Sequence, residues 1–163
     1  DIIGDYITTN PTVPWMPTNI PWDSNLVEVF NTSKLLGKGG TNTNLIINNY
    51  GVVDCTNDTG MYSAMRATCY NPCGSGGWFL PSWEELYELY ENRQRVNITM
   101  VNNGAEIVDG QGFYESSSEC SRQYYAKFLR PNPSQQPNQG CGTSGTGGEE
   151  KFVGHPIRAV KAF

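Results

Sequence analysis

Leu80-Pro81-Ser82-Trp83-Glu84-Glu85-Leu86 reads as the opening of a helix. Ser82 is an N-cap residue, and Glu85, three positions on, completes a capping box in which each side chain answers the other's backbone N–H. Downstream, Trp83, Leu86, Leu89 and Tyr90 fall on one apolar stripe, while Glu84, Glu88 and Glu91 face water. The spacing predicts a helix from Trp83 to about Arg93, packed by that stripe on a sheet.

Working outward, the N-terminal side carries two weaker helical signals. Thr41-Asn42-Thr43, after a glycine turn at Gly37, Gly39 and Gly40, starts one that runs through Ile46 and Ile47. The other spans Met61 to Tyr70, where Tyr62, Met65 and Cys69 share a face. Leu26-Val27-Glu28-Val29-Phe30 reads as a strand. Before it lies a segment with Pro11, Pro14, Pro17 and Pro21 and two tryptophans, Trp15 and Trp22. Proline at this density excludes helix and interior strand, so residues 1–25 are expected to form an extended arm and residues 26–163 the domain proper. The apolar side chains of the arm need a surface, either on this domain or on a neighbouring subunit, and the neighbour is the expected choice.

On the C-terminal side the texture changes to short strand-like runs at 96–101, 105–108, 113–117, 124–129 and 156–163. Residues 130–150 form a polar stretch rich in Pro, Gln, Asn, Gly and Ser. A long polar loop inside a compact domain points to function. Two helices followed by antiparallel strands indicate an α+β fold.

Composition narrows the function. The 163 residues fit one domain, and 17% charged with 12% aromatic is the reverse of a disordered chain. A net charge of -5 and scattered Lys and Arg argue against a nucleic-acid partner. No stretch reaches the ~20 apolar residues that span a bilayer, so no membrane insertion is expected. The sequence opens on Asp1 rather than Met, which points to processing or to another natural start. Five cysteines in a short polar chain suggest an oxidising location: extracellular, cell-surface or virion-exposed. Sequons at Asn31, Asn57 and Asn97 add little, since roughly two arise by chance in such a composition.

Catalytic motifs are scarce. There is no nucleophile elbow, phosphate loop or dinucleotide fingerprint. The single histidine, His155, precedes Pro156 and an apolar run, a structural rather than an acid–base setting. Glu84-Glu85 suits a helix N-terminus and Glu149-Glu150 a loop. Cys69-x-x-x-Cys73 has zinc-like spacing but lacks a second close pair. Disulfides are the preferred reading, with Cys120 bonded to Cys141 across about twenty residues, worth roughly 3 kcal/mol by loop closure. The pairing of Cys55, Cys69 and Cys73 stays open.

Four segments in order carry a resemblance: Leu36-Gly37 through Ile46-Ile47; Gly77-Trp78-Phe79-Leu80-Pro81-Ser82 with Glu85-Leu86 and Leu89-Tyr90; Phe113 through Glu119 with Tyr125-Ala126; and Ile157 through Phe163. Together they resemble the Lcl C-terminal domain family, a C-type-lectin-like domain of bacterial surface adhesins and phage structural proteins. Glu115 stands where that family usually has Trp, and the family's opening strand is replaced by the proline-rich arm. The resemblance implies a C-type-lectin-like fold, with two helices on a small, mostly antiparallel twisted sheet with long loops, and no enzymatic activity. Gln136-Pro137-Asn138 is similar to the calcium- and sugar-binding tripeptides of C-type lectins. Its companion Trp-Asn-Asp is missing, so no cofactor is expected and calcium is the one candidate ion.

The expected function is therefore recognition of a glycan or surface protein through the long loops. Tyr114 and Tyr124 offer stacking faces, and Glu115, Glu119, Arg122 and Asn138 offer directional hydrogen bonds. The alternative is a structural component of a virion decoration, fibre or surface assembly, homo-oligomeric or larger, built through residues 1–22.

Overall fold

The computed structural model describes residues 12–21, 28–29, 31–56, 60–70, 76–102, 113–120, 124–129 and 148–161. Their order is β1 (Val13–Pro14), α1 (Gly39–Tyr50), α2 (Ser63–Cys69), β2 (Trp78–Phe79), α3 (Trp83–Glu91), α4 (Arg93–Asn102), β3 (Tyr114–Glu119), β4 (Tyr125–Leu129), β5 (Gly148–Glu150), β6 (Gly154–His155) and β7 (Val160–Lys161). Three small antiparallel sheets form among them: β3-β4-β5, β1 with β6, and β2 with β7. The fold is α+β, with four helices among the described residues: the three that local spacing signals, and α4, which it does not.

Helix α3 forms as its sequence predicts. Ser82 Oγ accepts from Glu85 N–H at 3.3 Å, and Glu85 Oε2 accepts from Ser82 N–H at 2.7 Å. The same carboxylate reaches a second helix, accepting from Gly37 N–H at 3.0 Å and from Gly39 N–H at 3.1 Å, where α1 begins. One buried glutamate thus serves the orphan donors of two helix starts. Gly39 has to be glycine here, because a Cβ would stand 2.2 Å from Glu85 Oε2 and 2.8 Å from Ser82 N.

The apolar stripe of α3 is buried as expected. Leu86, Leu89 and Tyr90 join Met100, Tyr114 and Leu129 in one cluster. A second gathers Trp15, Met16, Val29, Ile46, Tyr62 and Met65, and a third holds Trp78, Leu80, Ile157 and Ala159.

Three expectations need correction. Residues 96–101 are helical: Arg95 and Val96 N–H donate to Asn92 O, so the chain restarts as α4 directly after α3. On a helix Val96 and Met100 share a face and both meet the α3 cluster, leaving Ile98 and Val101 exposed. Of the described part of the run 156–163, residues 156–161, only Val160–Lys161 is strand, although Ile157, Arg158 and Ala159 are buried. The described part of the arm, residues 12–21, docks on this chain's own core through Val13, Trp15 and Met16. β1 pairs with β6, Pro14 tolerates so short a ladder, and Trp15 is 1% exposed. A large indole buried against its own domain is worth more than the extended arm loses by docking there. The arm–domain boundary expected at residue 25 lies outside the described residues, as do the run 105–108 and most of 26–30 and 130–150.

Truncating Leu86, 1% exposed in the α3 cluster, to alanine is expected to cost about 2–5 kcal/mol. Denaturant unfolding of L86A checks this; an unchanged midpoint would contradict the packing.

Candidate functional site

Two walls form an open groove of about 600 Å³. One is Met16-Pro17-Thr18-Asn19-Ile20-Pro21 and the other is Glu150 and Phe152. Each wall has a local cause. Pro17 and Pro21 restrict the first, and a turn from Pro17 O to Ile20 N–H at 3.2 Å shapes it. The second is the turn after β5, closed by Val153 N–H donating to Glu150 O at 2.9 Å, with Phe152 at its tip, 53% exposed.

The walls are tied to each other and to the core at the level below. Met16 N–H donates to Lys151 O at 3.1 Å, and Lys151 N–H to Tyr124 O at 3.0 Å. The Trp15 indole N–H donates to Ser116 O at 2.7 Å, and the ring meets Tyr50 edge-on at 6.1 Å. Above that ring lies the Lys151 ammonium, 4.6 Å from its centre and ion-paired with Glu119. Glu119 also accepts from Val29 N–H at 3.0 and 3.2 Å. The pair is buried, with side-chain exposures of 1% and 6%. Burial pushes the Lys151 amine down to about 7, and the Glu28 carboxylate opposes that shift. Burial also raises the phenols of Tyr50 and Tyr62, the latter donating to Gly51 O at 2.5 Å.

The residues expected to face a ligand mostly serve the interior. Tyr114 is 2% exposed in the α3 cluster, and Glu115 is 3% exposed with its N–H on Pro156 O. Neither presents a surface to a sugar ring. Glu119 is occupied by Lys151 and Val29. Tyr124 is half-buried against the Trp15 cluster, next to the groove rather than in its lining. Arg122 and Asn138 lie outside the described residues. His155 stacks on Phe113 and Phe128 at 5.4 and 5.6 Å, a packing role.

Cys55 and Cys69 form a disulfide with Cα atoms 5.4 Å apart, so Cys69 is not a zinc thiolate. Cys120 is disulfide-bonded; Cys141, its expected partner, lies outside the described residues. Among the described residues no group of three or more His, Cys, Asp or Glu could hold a metal ion, and no helix is long and apolar enough to cross a membrane. Gln136-Pro137-Asn138 is again outside the described residues.

Sequence reasoning missed Lys151 and Phe152, and counted Ile20 among the apolar arm residues that need a surface. Lys151 looks like any solvated lysine after Glu149-Glu150, and only three dimensions put Glu119 beside it. The density of proline around Trp15 was the one usable signal for the groove. No family model, curated protein or solved structure matches the chain.

Replacing Lys151 by Met strands the buried Glu119 charge. It is expected to cost about 3–5 kcal/mol, the usual penalty for breaking a buried pair from one side. Thermal and denaturant melts of K151M read this, and wild-type stability in the variant would contradict the burial.

Proposed function

We propose that this chain is a non-enzymatic recognition module of C-type-lectin-like build, which binds a short protein segment in the groove between residues 16–21 and the 150–152 turn. The observation that carries the reading is the groove itself. Its lining is mainly apolar, its rim holds Thr18, Asn19 and Glu150, and both walls are anchored to one buried base. Walls fixed in advance lose little freedom on binding, which favours recognition. Among the described residues Glu150 is the single titratable side chain in the lining, and acid–base chemistry needs a partner within reach.

Packing of α1 and α3 on the β3-β4 sheet, and the pairing of β1 with β6, support the C-type-lectin-like architecture. The disulfide supports an extracellular, cell-surface or virion location. The alternative of a structural assembly component drew on an arm free to reach a neighbour. With Val13, Trp15 and Met16 buried in their own chain, the groove reading has the stronger support.

Screening the intact protein against a peptide display library and a glycan array tests the reading. Peptides with apolar anchors are expected to bind, and Phe152→Ala to weaken them about tenfold or more, since an aromatic anchor contributes roughly 1.5–3 kcal/mol. Glycan hits alone would replace the proposed ligand class. Peptide binding unchanged by Phe152→Ala would move the site elsewhere.

A further inference from the structure

The buried contact between Lys151 and Glu119 places an amine directly against a carboxyl group where water is excluded. We propose that Lys151 Nζ and Glu119 Cδ become joined by an intramolecular isopeptide bond, formed by the protein's own groups.

Each requirement of that reaction has a named group. The nucleophile must be a neutral amine, and burial lowers Lys151 to about 7, so its lone pair is available near neutral pH. The electrophile is the Glu119 carboxyl carbon. It lies one bond beyond the oxygen that Nζ touches, so the nucleophile and the carbon it attacks are held side by side in advance. Negative charge on the tetrahedral intermediate needs a fixed donor, and Val29 N–H already reaches both carboxyl oxygens at 3.0 and 3.2 Å. The proton has a short path within the pair, because Nζ already touches a Glu119 carboxyl oxygen. The Trp15 ring, 4.6 Å from Nζ, walls the site.

The step balances without an oxidant, reductant or cofactor. Proton transfer inside the pair turns the ammonium and carboxylate into amine and carboxylic acid. The Nζ lone pair attacks Cδ, the C–N bond forms, one Nζ proton passes to the hydroxyl oxygen, and that C–O bond breaks to release one water. The opposing tendency is a lasting ion pair, which the Trp15 ring and the two carboxylates also favour. In a water-excluded site the released water is not returned easily, which favours the amide. The bond would join the end of β3 to the turn that carries Phe152, across 32 positions of chain.

Intact-mass measurement of the fully reduced, folded protein after incubation at neutral pH decides the matter. The expected mass is one water below that of the sequence, and a tryptic digest should yield a branched peptide joining Glu119 to an uncleaved Lys151. Glu119→Gln should release ammonia instead and reach the same final mass as the cross-linked wild type. Lys151→Arg should show its full sequence mass. A folded wild type at full sequence mass overturns the proposal and leaves a plain ion pair. A missing water in Lys151→Arg overturns it too, by placing the dehydration elsewhere. Should Lys151→Arg fail to fold, the branched peptide and the Glu119→Gln mass still decide.

Discussion

Strand β3 is polar along most of its length yet almost wholly buried, and that is the constraint on which the other elements depend. A buried hydroxyl, N–H or carbonyl without a partner costs about 1–3 kcal/mol, so each group on this strand selects a neighbour. Trp15 donates its indole N–H to Ser116 O, and Ser116 Oγ donates to Lys127 O at 2.7 Å. Asn42 reaches Ser117 Oγ at 3.1 Å, and Ser118 Oγ accepts from Trp83 N–H at 2.9 Å while donating to Ser33 O at 3.0 Å. The arm, α1, the start of α3, β4 and the loop before α1 are all registered against one strand. Apolar packing supplies bulk stability, but these bonds say which segment goes where.

Two buried glutamates extend the same logic in opposite ways. Glu85 is satisfied inside the protein by collecting backbone N–H donors from two helix starts. Glu119 has Val29 N–H and a lysine, and the lysine brings the 150–152 turn with it. The first carboxylate fixes helices and the second fixes the groove. Trp15 links the two regions, because its ring supports Lys151 while its N–H holds β3.

Local chemistry made part of this legible in the sequence. The capping box and stripe of α3 need only neighbours within a few residues, and α1, α2, β3 and β4 likewise declare themselves through short-range spacing. Val96 and Ile98 suggested a strand because alternation and helical spacing coincide over so short a run; contact with the α3 cluster decides for helix. Tyr114 and Glu115 suggested a binding face because exposure cannot be read from residue type in a polar chain. The groove was invisible for a related reason: its base is a pair 32 positions apart, and its walls come from opposite ends of the chain.

Native-state hydrogen exchange at β3 tests the central role of this strand most directly. Glu115 N–H donates to Pro156 O and Ser117 N–H to Pro81 O, outside any strand ladder. If the strand organises the fold, both amides exchange only through global unfolding, with opening free energies equal to the full stability of the protein. Exchange at either amide through a cheaper local opening, while the β3-β4 ladder amides stay protected, would show that the surrounding segments are held by something other than this strand.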